Sequence, residues 1–236
     1  DGGFVVNGQK HYVTNATQAD WLWVGRIAFE GKAGVLGLMV HRDNPGLTID
    51  VSAWRPMGMK ACVSPWLDLK DCFVPKEDMI GRLGQFRAEN WLGKINFAFS
   101  ANYLGSATAM YDLALDYVRN RGGGKDPYRQ LRAGELKSLL DASRLLLYQA
   151  VTMYKNDPDK AMVHAHEAKW MIKETLYRVL SGVGELAGST SLFEKHPLER
   201  FCRDMHVHML HGRHDIAAQI VGAAEFGEDY DVNRTH

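Results

Sequence analysis

The chain has 236 residues, 46% of them hydrophobic, enough for one large or two moderate cores. Its 28 Lys and Arg balance 28 Asp and Glu, and no stretch gathers the basic density that phosphate-backbone binding requires, so no nucleic-acid partner is expected. No apolar run approaches the roughly 20 residues that span a bilayer, and Asp1-Gly2-Gly3 opens without the basic and apolar parts of an export signal, so the expectation is a cytoplasmic protein with no membrane insertion.

The first third reads as strands. Phe4 to Val13 suggests a hairpin closed by Asn7-Gly8, the dipeptide that suits a tight two-residue turn. Trp21 to Ile27, Val35 to His41, Leu47 to Val51 and Trp66 to Phe73 come next, rich in β-branched and aromatic residues and separated by turn compositions such as Asn44-Pro45-Gly46. Together they predict an antiparallel sheet or barrel over 1–80, with Gly81 to Gly84 as the hinge to a second domain.

From about Gln85 the apolar period becomes helical. Leu136, Leu139, Leu140, Leu146, Leu147 and Ala150 recur at three- and four-residue spacing, as one buried helix face requires. Helices are predicted near 86–120, 128–155, 160–186 and 197–225, broken by Gly122-Gly123-Gly124, Asn156-Asp157-Pro158 and Gly188-Ser189-Thr190. The fold class expected is α+β, with an antiparallel four-helix bundle over 85–236 and a polar, frayed end from Glu228 to His236. Cys62, Cys72 and Cys202 are odd in number and lack CxxC spacing, which predicts free thiols.

Pro197-Leu198-Glu199-Arg200-Phe201-Cys202-Arg203-Asp204, followed by His211-Gly212, resembles the P-V-E-R-x-x-R-D segment and Y-E-G-T turn of the acyl-CoA dehydrogenase superfamily. Gly8 to Asn15 resembles that family's G-x-K-x-W-I-T-N. Asn44-Pro45-Gly46, Met57 to Ala61, Asp71 to Pro75 and Leu113 to Arg121 resemble further stations in the same order. The resemblance implies a middle β-domain and a C-terminal helical domain, with the family's N-terminal helical domain absent, and a homo-oligomer, dimer or tetramer. It implies a flavin, FAD or reduced FMN, held by Tyr12, Val13 and Thr14 against the ring and by Arg121 at the pyrophosphate. Leu186, Ala187 and Gly188 stand in for the family's Q-I-L-G-G loop, with Gly184 where that loop has glutamine.

The family's base position, a glutamate, is here His211. An imidazole titrates near neutrality and can serve as a base. A histidine at this turn also resembles the flavin-dependent monooxygenase branch, in which reduced flavin activates O2. Three readings stand open: a monooxygenase-like reaction with a flavin reductase as partner, oxidation of an acyl-CoA thioester with an electron-transfer flavoprotein, and a non-catalytic assembly subunit. His206, His208, His211 and His214 admit a metal reading by spacing alone, but 206 and 208 do not share a helix face, and no metal is expected.

Overall fold

The computed structural model describes residues 2–32 and 34–234. The chain divides into two compact units, one ending at Glu89 and the other beginning at Asn90.

The first unit holds two three-stranded antiparallel sheets. β1 (Gly3–Lys10), β5 (Trp66–Pro75) and β4 (Leu47–Asp50) form one in the order β1-β5-β4. β2 (Trp21–Ala28), β3 (Val35–His41) and β6 (Met79–Ile80) form the other in the order β2-β3-β6. The described strands make open sheets and no closed barrel. Alternate residues face inward as the strand period demands: Leu36, Leu38 and Val40 of β3 and Leu22 and Val24 of β2 are buried in the core.

The expected hairpin at Asn7-Gly8 is not formed, and Gly3–Lys10 is one continuous strand. Val6 pairs with Cys72 and Gly8 with Leu69, so β5 carries one extra residue opposite Asn7. Asn7 Oδ1 accepts from the Asp71 N–H at 2.8 Å, and Asp71 takes a left-handed φ of 47°. The bulge shifts the buried phase of β5 from Leu67 and Leu69 to Cys72 and Val74. The turn chemistry at Asn7-Gly8 therefore serves a bulge and not a reversal. Gly46 is required by close approach, since a Cβ there would lie 2.5 Å from the Cys72 Cα and 2.6 Å from the Lys70 carbonyl oxygen.

Gly84 donates its N–H to Val35 O at 2.9 Å, which ties the glycine-bracketed connection to the start of β3. The short helix α1 (Gln85–Ala88) belongs to this first unit.

The second unit contains α2 (Trp91–Arg119), α3 (Pro127–Tyr154), α4 (Pro158–Ala187), α5 (Pro197–His208) and α6 (His214–Glu225). Two of these helices start by the same device. Asp126 accepts from the Tyr128 and Arg129 N–H groups ahead of Pro127, and Asp157 accepts from Lys160 N–H ahead of Pro158. α4 packs against α2, α3 and α6. Leu136, Ile172, Leu176, Val179 and Val183 are among the residues of its core. Ser143 and Thr175 share a 2.8 Å hydroxyl hydrogen bond inside it, which satisfies both buried groups.

Three further expectations are corrected: the predicted helix over 86–120 is interrupted at Glu89-Asn90, where Asn90 takes a left-handed φ of 54°. The predicted helix over 197–225 is broken into α5, a 3-10 turn (Met209–His211) and α6. Gly212 is extended at φ −98°, ψ 142°, and His214 Nε2 donates to Met209 O at 2.7 Å, satisfying a carbonyl that the helix end would orphan. The polar end is also not frayed as far as it is described. Val232 and Asn233 are 9% and 6% exposed, and Asn233 Nδ2 donates to Asn90 Oδ1 at 2.7 Å. Thr235 and His236 lie outside the described residues.

Candidate functional site

His211 ends the 3-10 turn between α5 and α6 with its side chain exposed. Its ring lies 5.7 Å from that of Phe99, at 44°, and 6.5 Å from that of His208, at 17°. His208 Nε2 donates to Asn102 Oδ1 at 3.0 Å, which fixes the tautomer, because the amide oxygen can only accept. Burial, and secondly the charge of His211, lower the His208 pKa from its ordinary value. Tyr103, fully buried, donates its hydroxyl to His208 O at 3.3 Å, and burial pushes its pKa up to about 12. Its ring meets the edge of His208 at 5.1 Å and lies 5.8 Å from His214.

Phe99, Asn102 and Tyr103 share one face of α2 by their i, i+3, i+4 spacing, and that face supports the turn carrying His211. None of the three stands out in the sequence, where His208 is notable only as a candidate metal ligand. The available signal was the spacing of Phe99, Asn102 and Tyr103, which puts a polar group beside two aromatics on one helix face. Two carboxylates of this segment are engaged by cations: Glu199, in the first turn of α5, by Arg203 Nε at 2.7 Å, and Asp215, at the start of α6, by Arg213 at 3.1 Å. Among the described residues no group of three or more His, Cys, Asp or Glu is arranged to hold a metal ion.

Arg121 is exposed, with its guanidinium carbon 3.8 Å from the centroid of the Tyr117 ring. The Tyr117 hydroxyl hydrogen-bonds Thr190 at 2.7 Å, which joins Arg121 to the turn after α4. Gly188, at φ 84°, ends that helix. Leu186 and Ala187 are 1% and 5% exposed and point into the core, so at this turn the groups open to a ligand are the backbone of Gly188 and of the residues after it. The structure thus gathers Arg121 and Gly188 at one end of the helical unit. The ring contacts of His211 share no residue with that group.

In the first unit, Tyr12, Val13 and Thr14 lie just beyond β1 and line an open cleft of about 370 Å³ with Lys10, Trp21, Trp23 and Arg26. Tyr12 takes φ 61° and its ring is 65% exposed. Val13 N–H donates to Pro65 O at 3.0 Å, which anchors the segment. Ser64 donates to Cys62 O at 3.0 Å, so in the 2.9 Å contact between Thr14 and Ser64 the proton comes from Thr14. Thr14 therefore presents an acceptor to the cleft. Burial and the charge of Arg26 lower the Lys10 pKa, so two cations stand close together at this cleft.

Among known proteins, the profile described as acyl-CoA dehydrogenase, middle domain, matches residues 1–72, and that of the acyl-CoA dehydrogenase C-terminal domain matches residues 97–216. The cyclohex-1-ene-1-carbonyl-CoA dehydrogenase of Geobacter metallireducens is 26% identical over 231 residues, 94% of this chain and 60% of that protein. The mitochondrial isobutyryl-CoA dehydrogenase of Dictyostelium discoideum is 27% identical over 241 residues, 96% of this chain and 56% of its own length. The chain thus spans well under two thirds of these relatives. By fold it is similar to a glutaryl-coenzyme A dehydrogenase in complex with glutaryl-CoA (TM-score 0.82, 24% identity, 100% of this chain and 62% of that one). It is also similar to the FMN-bound TdsC of Paenibacillus sp. A11-2 (0.85, 20%, 99% and 66%) and the HsaA monooxygenase of M. tuberculosis (0.82, 22%, 97% and 67%). The chain belongs to the acyl-CoA dehydrogenase family, of which it spans the middle and C-terminal domains.

Proposed function

We propose that the protein to which this chain belongs is a flavin-dependent oxidoreductase with a reaction of the reduced-flavin, O2-consuming monooxygenase type, in which His211 handles the proton. The observation that carries this reading is the exposed His211 imidazole on its turn, flanked by the Phe99 and His208 rings. The dehydrogenases that the sequence resembles carry a glutamate at this point to take the α-proton, and here the position holds an imidazole.

The residues fit a flavin. The cleft beside β1 joins flat aromatic surface from Tyr12, Trp21 and Trp23 to the cations Lys10 and Arg26, which suits a planar heteroaromatic ring bearing phosphate. When bound, the flavin supplies two-electron chemistry, accepting hydride or, once reduced, activating O2. Tyr12, Val13 and Thr14 hold the ring; Arg121 holds the pyrophosphate, of FAD in this case, of a neighbouring copy, and the backbone near Gly188 contributes alongside it. Leu186 and Ala187 act only by fixing that backbone. His211 holds or delivers a proton, and the Asn102–His208 hydrogen bond orients the imidazole stacked beside it.

The second reading, oxidation of an acyl-CoA thioester with an electron-transfer flavoprotein as acceptor, is favoured by the acyl-CoA dehydrogenases among the relatives. A visible spectrum of the full-length protein followed by anaerobic addition of acyl-CoA separates the two. Oxygen uptake driven by NADH and a flavin reductase, with no bleaching by thioester, supports the monooxygenase. Bleaching of the flavin by the thioester overturns it. A protein that binds no flavin supports the assembly subunit instead.

A further inference from the structure

Lys169, on α4, is only 9% exposed, and among the described residues no carboxylate lies within ion-pair distance of it. Its Nζ donates to Asn96 Oδ1 at 3.0 Å, and Asn96 Nδ2 in turn donates to Leu92 O at 3.2 Å. Flipping the amide would set two donors against each other, so the lysine fixes the asparagine. Beneath the same group, His166 Nε2 lies 3.2 Å from both Asn96 Nδ2 and Val232 O. Burial lowers the Lys169 pKa, as expected for an amine without a counter-charge.

The amine lies directly under the turn that carries His211. A Cβ on Gly212 would sit 3.3 Å from Lys169 Cε, 3.4 Å from its Nζ and 3.4 Å from His214 Cε1. Gly212 is extended, with no left-handed requirement, so glycine serves here to let the backbone rest on the lysine. His214 Nδ1 is buried without a partner, beside the same point, while its Nε2 holds Met209 O. A buried, unpaired cation is costly. Among the described residues no ion pair accounts for it, and beyond the Asn96 amide its amine lies against the turn.

We propose that Lys169 is a positioning residue: anchored by Asn96, it forms the floor of the Gly212 turn and so fixes where His211 stands. The proposal concerns the turn itself. Its consequence for catalysis rests on the reading of His211 as the proton-handling group.

The test is Lys169→Met, which keeps an unbranched apolar stem as far as Cε and removes the charge and hydrogen bond, with Lys169→Gln as the variant that keeps a donor one atom closer to the backbone. Hydrogen exchange in the flavin-free full-length protein reads the turn independently of activity. The amides of Leu210 to Arg213 should exchange faster by roughly fivefold to tenfold in Lys169→Met, while those of mid-α2 and mid-α4 stay unchanged. The denaturant midpoint should hold or rise, because an uncompensated buried charge is removed. Turnover at saturating substrate should fall by roughly tenfold or more, the loss that slight misplacement of a reacting group produces. Lys169→Gln should lie between the two. Unchanged exchange at the turn overturns the proposal, and so does a midpoint that drops with uniformly faster exchange through α2 and α4, the mark of a purely structural lysine. If exchange changes as expected while turnover of both Lys169→Met and His211→Ala is unaffected, the positioning stands and the role of His211 falls.

Discussion

The imidazoles of His208 and His211 lie within 17° of parallel with their centres 6.5 Å apart, one anchored by Asn102 and half-buried, the other exposed. Two such rings resist carrying positive charge together. Histidine NMR titration should therefore show His208 protonating below the ordinary imidazole pKa of about 6.5. In His211→Ala it should move upward, stopping short of the ordinary value because burial, the larger cause, remains. A His208 titration unaffected by that substitution would mean the rings do not communicate.

Arg121→Ala in the full-length protein should weaken flavin binding by about 1–3 kcal/mol, the range for one charge-assisted contact. Tyr117→Leu should act in the same direction and less strongly, since the Tyr117 ring holds the guanidinium in place and ties it to Thr190. Flavin titration giving equal affinity for parent and Arg121→Ala would reduce Arg121 to a surface cation.

His166 is 3% exposed, with its Nε2 3.2 Å from Val232 O, and burial pushes its pKa down to about 4 from 6.5. The unfolded chain thus binds a proton that the folded chain refuses between those two values, so this contribution is complete above pH 6.5 and lost as pH falls toward 4. The loss is on the order of 3 kcal/mol at most. Urea midpoints measured across that window should fall with acid, and His166→Gln should flatten the dependence. An equally steep fall in the variant would assign it to other groups.

The chain should self-associate. α3 exposes Tyr128, Leu131, Leu145, Tyr148 and Val151, from 53% to 80%, beside a groove lined by Leu104, Gly105, Thr108 and Leu147. Sedimentation at micromolar concentration should give a dimer or larger, and Leu145→Glu with Tyr148→Glu should shift it toward monomer. A folded monomer in the parent would contradict this.

Much of the fold is legible in the sequence because periodicity is local. β3 spans the predicted Val35–His41, and α3 and α4 differ from their predicted spans by no more than two residues at each end. The departures arise where a distant residue decides the local outcome. Asn7-Gly8 has turn chemistry, yet its partner is Asp71, which receives it as a bulge. The helix over 197–225 breaks because His214 turns back to Met209 and Lys169 lies under Gly212, a relation no pattern within the segment reveals. The tail after Glu228 is polar in composition, yet Val232 closes over His166. The same limit applies to the site. His211 stands out through the motif around it, whereas Phe99, Asn102 and Tyr103 become its neighbours only once α2 crosses α5.

The most direct test of the catalytic assignment is turnover of His211→Ala in the full-length protein, on its native substrate and beside His211→Glu. The exposed side chain contributes little to packing, so stability should stay within about 0.5 kcal/mol of the parent, while turnover falls by roughly 10²–10⁴-fold, as expected for loss of a proton-transfer group. His211→Glu should lose oxygen transfer and gain no flavin reduction by acyl-CoA. Unchanged turnover in His211→Ala would contradict the catalytic assignment, and flavin reduction by acyl-CoA gained in His211→Glu would show that the scaffold is a thioester dehydrogenase.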